Sequence, residues 1–187
     1  MSDVNIYIQE YKRIVDSIWG TYLDATTGFQ KVKEMIDKIH ANLKGVDNPD
    51  DLQFIYGKGN PNSPDAIALH RCTQGKIKER NSKDGENFKF IGNMSLISIY
   101  QYWEDYYREK IAKEKKLNKN DIKSDVMGDL RLIRISIIHH KGIALEEVEK
   151  CKILNWYKKD DKIFIDQDKL EQILIEIFKM LDELSEN

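Results

Sequence analysis

The sequence predicts an all-α fold, an up-down helical bundle of about five helices, and three observations carry that prediction. Apolar residues recur at three- and four-residue spacing along most of the chain, the period of a helix with one buried face. All three prolines fall between residues 44 and 65, which leaves the remainder free of the strongest helix breaker. At 187 residues the chain is long enough to bury a real core in one domain. Within it, residues 1–43 read as an N-terminal helical arm, 44–92 as a loop-rich insertion and 93–185 as a motif-bearing core.

Residues 3–43 place Ile6, Ile14, Ile18, Val32, Ile36, Ile39 and Leu43 at helical spacing among charged residues. One long helix fits, and so does a pair joined near Gly20 to Gly28, with Ser2 or Asp3 as N-cap and Gly45 and Pro49 as the stop. Residues 44–65 read as loop. There Gly57-Lys58-Gly59 lacks the glycine spacing and the Lys-Ser/Thr pair of a phosphate cradle, and reads as a surface turn. Residues 66–92 open on a short helical pattern and pass into a polar loop from Gln74 to Asn87. Arg71, Lys76, Lys78 and Arg80 are its candidates for neutralising an RNA backbone, set against the plainer reading of a solvated surface loop.

The next helix, 93–117, takes Asn93 or Ser95 as cap and packs Leu96, Ile99, Tyr100, Trp103, Tyr106, Tyr107 and Ile111. After a charged connection a helix runs from about Asp121 to His140, and Leu145 to Leu154 reads as a short one. Lys162 to Ile165 reads as a minor extended segment. Asp166 or Asp168 caps a last helix whose Leu170, Ile173, Leu174, Ile177, Phe178, Leu181 and Leu184 form one stripe.

Charge narrows the function classes. With 30 basic and 32 acidic residues the chain is no polycation, so any contact with nucleic acid is local. Cys72 and Cys151 stand far apart, which supports neither a disulfide framework nor a zinc site, and no metal ligand set is expected. The opening residues carry no basic and apolar leader, and no uncharged apolar run is long enough to span a bilayer. A cytoplasmic protein without a membrane partner is the expectation.

Asp129 to Gly142 is the stretch on which a functional reading turns. It is apolar on nearly every face and ends on a cationic turn with Gly142 as C-cap, so neighbours are expected to enclose it. Arg134 and His139 interrupt it. An arginine among isoleucines needs an anion, an acceptor or solvent. Five residues advance about 500° on an ideal helix, which sets Arg134 and His139 about 140° apart. One copy of the helix is then a poor site unless its end unwinds after Ile138. Two copies around a two-fold axis bring four groups together, and the excess of apolar faces suits a homodimer through the 121–141 helix.

Arg134, four intervening residues and His139 resemble the signature of the HEPN superfamily, an arginine followed by four to six residues and a histidine. Gly128-Asp129-Leu130-Arg131 resembles the approach many members make to it, and Tyr102-Trp103-Glu104-Asp105-Tyr106 resembles their aromatic and acidic segment. The likeness covers residues 93–185. Ile135 departs from it, standing where members often carry Asn, Asp or His. The resemblance implies a dimer with a composite centre that cleaves single-stranded RNA without metal or other cofactor. Arg134 would hold the scissile phosphate and His139 would move protons. Glu104 would position a cation, while Arg131 and His140 would assist. DNA, lacking the 2′-hydroxyl, would be neither cut nor a partner.

Bland alternatives stand beside each assignment. Arg134 bridging to Glu104 or Asp105, with His139 over the last helix carbonyls, would be structural, and Glu104 would pair with Arg108 one turn on. Two functions follow. One is a ribonuclease acting as the toxin or effector of an antitoxin pair or phage-defence system. The other is a non-catalytic HEPN module that binds RNA, a nucleotide or a nucleotidyltransferase-like antitoxin.

Overall fold

The computed structural model describes residues 3–186, so the Ser2 cap lies outside the described residues. In chain order the elements are α1 (Asp3–Asn42), β1 (Gln53–Lys58), β2 (Ile67–Thr73), α2 (Gln74–Arg80), α3 (Glu86–Tyr102), α4 (Arg108–Glu114), α5 (Asp125–His139) and α6 (Gln167–Glu186). A π turn, Trp103–Tyr107, joins α3 to α4. The fold is mostly α, as expected. α1 is one helix rather than two, with Gly20 and Gly28 inside it. Chain contacts divide the protein into two compact units, one of residues up to Leu23 with Lys89 onward, the other Asp24–Phe88.

In the first unit, the start of α1, the α3–α4 helix, α5 and α6 share one core. Tyr11 and Trp103 are at its centre, 0% and 1% exposed, with ring centroids 5.6 Å apart. Burying each contributes roughly 1.5–3 kcal/mol or more. Tyr11 also donates its hydroxyl to the Ile99 carbonyl at 3.0 Å, which leaves no polar atom stranded. The α6 stripe is buried at Leu170, Ile173, Leu174, Ile177 and Leu181, and Asp166 caps that helix by accepting from the Lys169 N–H at 3.0 Å.

α3 begins at Glu86, a turn and more before residue 93, so Asn93 and Ser95 are not caps. Asn93 sits mid-helix, accepts from the Ile165 N–H at 3.2 Å and donates to the Ile163 carbonyl at 3.4 Å. The strand-like 162–165 segment therefore docks on α3 and, among the described residues, makes one isolated backbone bridge, Ile143 with Lys162. Gly92 makes the close approach possible, since a Cβ there would lie 1.8 Å from the Ile165 carbonyl oxygen. The short helix expected within residues 145–154 is a 3-10 helix, Glu146–Lys150.

Asp129 fixes α5 to the chain that follows it. Only 3% exposed, its carboxylate accepts N–H bonds from Lys152 at 2.9 Å, Ile153 at 2.7 Å and Leu154 at 2.9 Å. A buried carboxylate is tolerable only with such partners. Beside it, burial pushes the Cys151 thiol up to about 12, with Asp129 adding to the shift, so this cysteine is a buried hydrophobe rather than a nucleophile.

The second unit departs most from expectation. β1 and β2 pair antiparallel, Gln53 with Thr73 through Lys58 with Ile67, with a bulge after Tyr56. The helical pattern at 66 is thus a strand, and the loop from Gln74 is α2, capped by Thr73 accepting from Lys76 N–H. Ile36 and Ile77 are its fully buried side chains, both 0% exposed. Lys78 bonds Asp50 at 2.9 Å and Asp37 at 3.3 Å, tying α2 to the turn and to α1. Ile39 and Leu43, at helical spacing on α1, are exposed.

Asp129→Ala should destabilise the protein by about 3 kcal/mol or more, because it strands three buried backbone donors. The urea unfolding midpoint measures this. A midpoint within error of wild type would show that α5 is held by packing alone.

Candidate active site

α5 starts where Ser124 accepts from the Met127 N–H at 3.3 Å, four residues later than Asp121 because Lys119–Asp121 is a 3-10 turn of its own. It stays helical through His139. The terminus is fixed by Ser136, which is fully buried: its carbonyl accepts from His140 at 3.1 Å and Gly142 at 3.2 Å, and its hydroxyl accepts from Leu145 N–H at 3.1 Å. Lys141 takes the first left-handed position, φ 55°, before Gly142 at φ 75°, so glycine does not end the helix alone.

Arg134 is half-buried on this helix. Its Nη2 donates to Gln101 Oε1 at 2.9 Å, its Cζ lies 5.4 Å from the Tyr100 ring centroid, and its Nε is buried without a hydrogen-bond partner. Gln101 in turn donates its amide to Asp105 one turn on. Among the described residues Arg134 forms no ion pair, so neither Glu104 nor Asp105 bridges to it directly. Gln101 is the residue that sequence reasoning missed, although its spacing from Asp105 on one helix face was there to see.

Glu104 looks elsewhere. It holds Arg108 and Lys119, each at 2.9 Å, so the pairing with Arg108 one turn on is present, and the cations it holds in position are these two rather than Arg134. Burial pushes its carboxyl upward, but hydrogen bonds from Lys119 and Arg108 outweigh that and leave it below the usual carboxylate range. Next to this cluster Arg131 is exposed and lines a cavity of about 160 Å³ with Arg108, Lys123, Ser124 and Tyr100. Arg131, Arg134 and Arg108 all act on the Tyr100 hydroxyl, whose pKa burial nevertheless raises. The local balance is cationic.

His139 and His140 are exposed. The helix does not unwind after Ile138, so the separation of about 140° between Arg134 and His139 stands, and one chain does not bring them together. The four basic residues assigned to RNA lie in the second unit. Arg71 and Lys76 are exposed, Lys78 is neutralised by Asp37 and Asp50, and Arg80 donates Nη1 toward His70 Nε2 at 3.1 Å. They sit on a strand and a helix, not on a loop. Among the described residues, no three His, Cys, Asp or Glu side chains converge as metal ligands, and no helix is long and apolar enough to cross a membrane. No family model, curated protein or solved structure matches this chain.

The Glu104 pair generates a pH prediction. A carboxyl whose folded pKa is depressed contributes stability above its unfolded value, and that contribution is lost as pH falls through the folded value. Glu104→Gln should therefore lower the unfolding midpoint at neutral pH, and the gap to wild type should close on acidification through the carboxylate range. A gap that stays constant with pH would show that the charge of Glu104 plays no part.

Proposed function

We propose that this chain is a metal-independent endoribonuclease that cleaves single-stranded RNA at a centre shared by two copies. The observation that carries the reading is Arg134: a half-buried guanidinium held by Gln101 and Tyr100, given no carboxylate, with its Nε unpartnered. Such a cation, met by an acceptor and an aromatic face but by no counter-charge, is placed to bind an anion. A phosphodiester supplies the charge and matches the planar fork.

His139 from the second copy faces the same phosphate. Its neutral imidazole takes the proton from the ribose 2′-hydroxyl as that oxygen attacks phosphorus, and the bond to the leaving 5′-oxygen breaks as a proton returns to it. Arg134 stabilises the negative charge gathering on the phosphoryl oxygens. The products carry a 2′,3′-cyclic phosphate and a 5′-hydroxyl. The exposed Ile138 and half-buried Leu132, Ile135 and Ile137 give the second copy apolar surface to cover. In a cell such an activity fits a growth-arresting toxin or defence effector held in check by a partner protein.

Purified protein incubated with labelled RNA in EDTA should yield those ends, while Arg134→Ala and His139→Ala should each slow cleavage by about 10²- to 10⁴-fold. A mixture of the two inactive variants distinguishes one-chain from two-chain sites. Random pairing should regain about a quarter of wild-type activity, because half of the dimers then hold one intact site. Cleavage that persists in both folded variants would overturn the proposal, and RNA bound but never cut would leave a binding module.

A further inference from the structure

One hydrogen bond from Arg134 lies a groove of about 570 Å³ in the first unit, lined by Ile14, Ser98, Gln101, Tyr102, Asp105, Tyr106 and Tyr107. Two features set it apart from ordinary surface. Tyr102 is 48% exposed and Tyr106 46% exposed, two large rings four residues apart where burial would be the norm. Tyr106 lies within the π turn, where Trp103 and Tyr107 are buried and Tyr106 is not, while Tyr102 closes α3 just before it. Tyr107 then braces Tyr106 edge-on, with centroids 4.9 Å apart at 79°, so the outward ring is held upright. Lys110 Nζ sits 5.3 Å from its centroid.

We infer that this groove is a stacking platform for two unpaired bases of a single-stranded RNA whose phosphate is held by Arg134. Exposed rings offer π faces to any base. Lys110 over Tyr106 and Arg134, bonded to the groove-lining Gln101, are the cations that would neutralise the strand's phosphates, against the one carboxylate of the lining, Asp105. The volume accommodates bases rather than a duplex, whose bases are already stacked and paired. The inference rests on the ribonuclease reading for the position of the phosphate, but its test does not.

The probe is a labelled 2′-O-methyl RNA single strand, which lacks the nucleophile and cannot be cut. Tyr102→Ala and Tyr106→Ala should each weaken its binding about tenfold, Tyr102→Phe and Tyr106→Phe should bind as wild type, and a 2′-O-methyl duplex should bind equally weakly to all five proteins. Both alanine variants should keep the wild-type melting temperature within a few degrees, since the rings they remove are half in solvent. Unchanged single-strand binding in the alanine variants would overturn the platform. So would loss of binding accompanied by a fall from dimer to monomer in sedimentation, which would make the groove an interface between copies. Tyrosine-dependent binding in a protein that cuts no RNA would leave the platform standing and remove the ribonuclease reading instead.

Discussion

The first unit depends on a carboxylate that has been taken out of water. Asp129 accepts three backbone N–H groups from the segment that follows α5, and charge-assisted bonds of that kind are about twice as strong as neutral ones. They hold α5 to residues 152–154, and further along the same connection Asn93 anchors residues 163–165 on α3. Five residues further along the same helix, Arg134 presents the opposite case. It is partly withdrawn from solvent yet receives one neutral acceptor, one aromatic face and no counter-charge. The helix thus carries two charges that are costly to bury, one fully satisfied and one left incomplete. Incompleteness at a polar group is where function is expected, because a structural arginine gains from an acid partner.

Why no acid reaches Arg134 follows from the neighbouring helix. Glu104 lies within one turn of Gln101 but is drawn to Arg108 and Lys119. Asp105 is held back by the Gln101 amide. The π turn lies in the segment that holds Glu104, Asp105 and Tyr106. Single π turns recur at functional sites, and this one begins two residues after Gln101, which holds the Arg134 guanidinium.

The helical elements were legible wherever one face is buried. α6 announces itself through Leu170, Ile173, Leu174, Ile177 and Leu181, and Asp166 caps it as its position suggested. Arg134 was legible as an anomaly in an apolar run. The hairpin was not legible, because period-two patterning requires one wet and one dry face, and both strands are exposed nearly throughout. Ala66-Ile67-Ala68-Leu69 then mimics a helix. The π turn also left no mark, and Tyr106 was accordingly assigned to the core. For Glu104, helical spacing named Arg108 one turn away as a partner but could not rank it against a cation on another helix, nor point to Lys119.

The rigidity of the α5 terminus decides how many chains a phosphodiester would need. Had the helix frayed after Ile138, His139 would have been free to swing toward Arg134 within one chain. Ser136 prevents this. Its carbonyl takes two N–H groups from the turn and its hydroxyl a third from Leu145, so the last turn is closed by bonds that are buried and therefore costly to lose. A straight helix ending in that lock presents its cation and its imidazole in different directions. The proposed chemistry would therefore need a second copy of the helix, whose imidazole would meet the first copy's guanidinium across a two-fold axis.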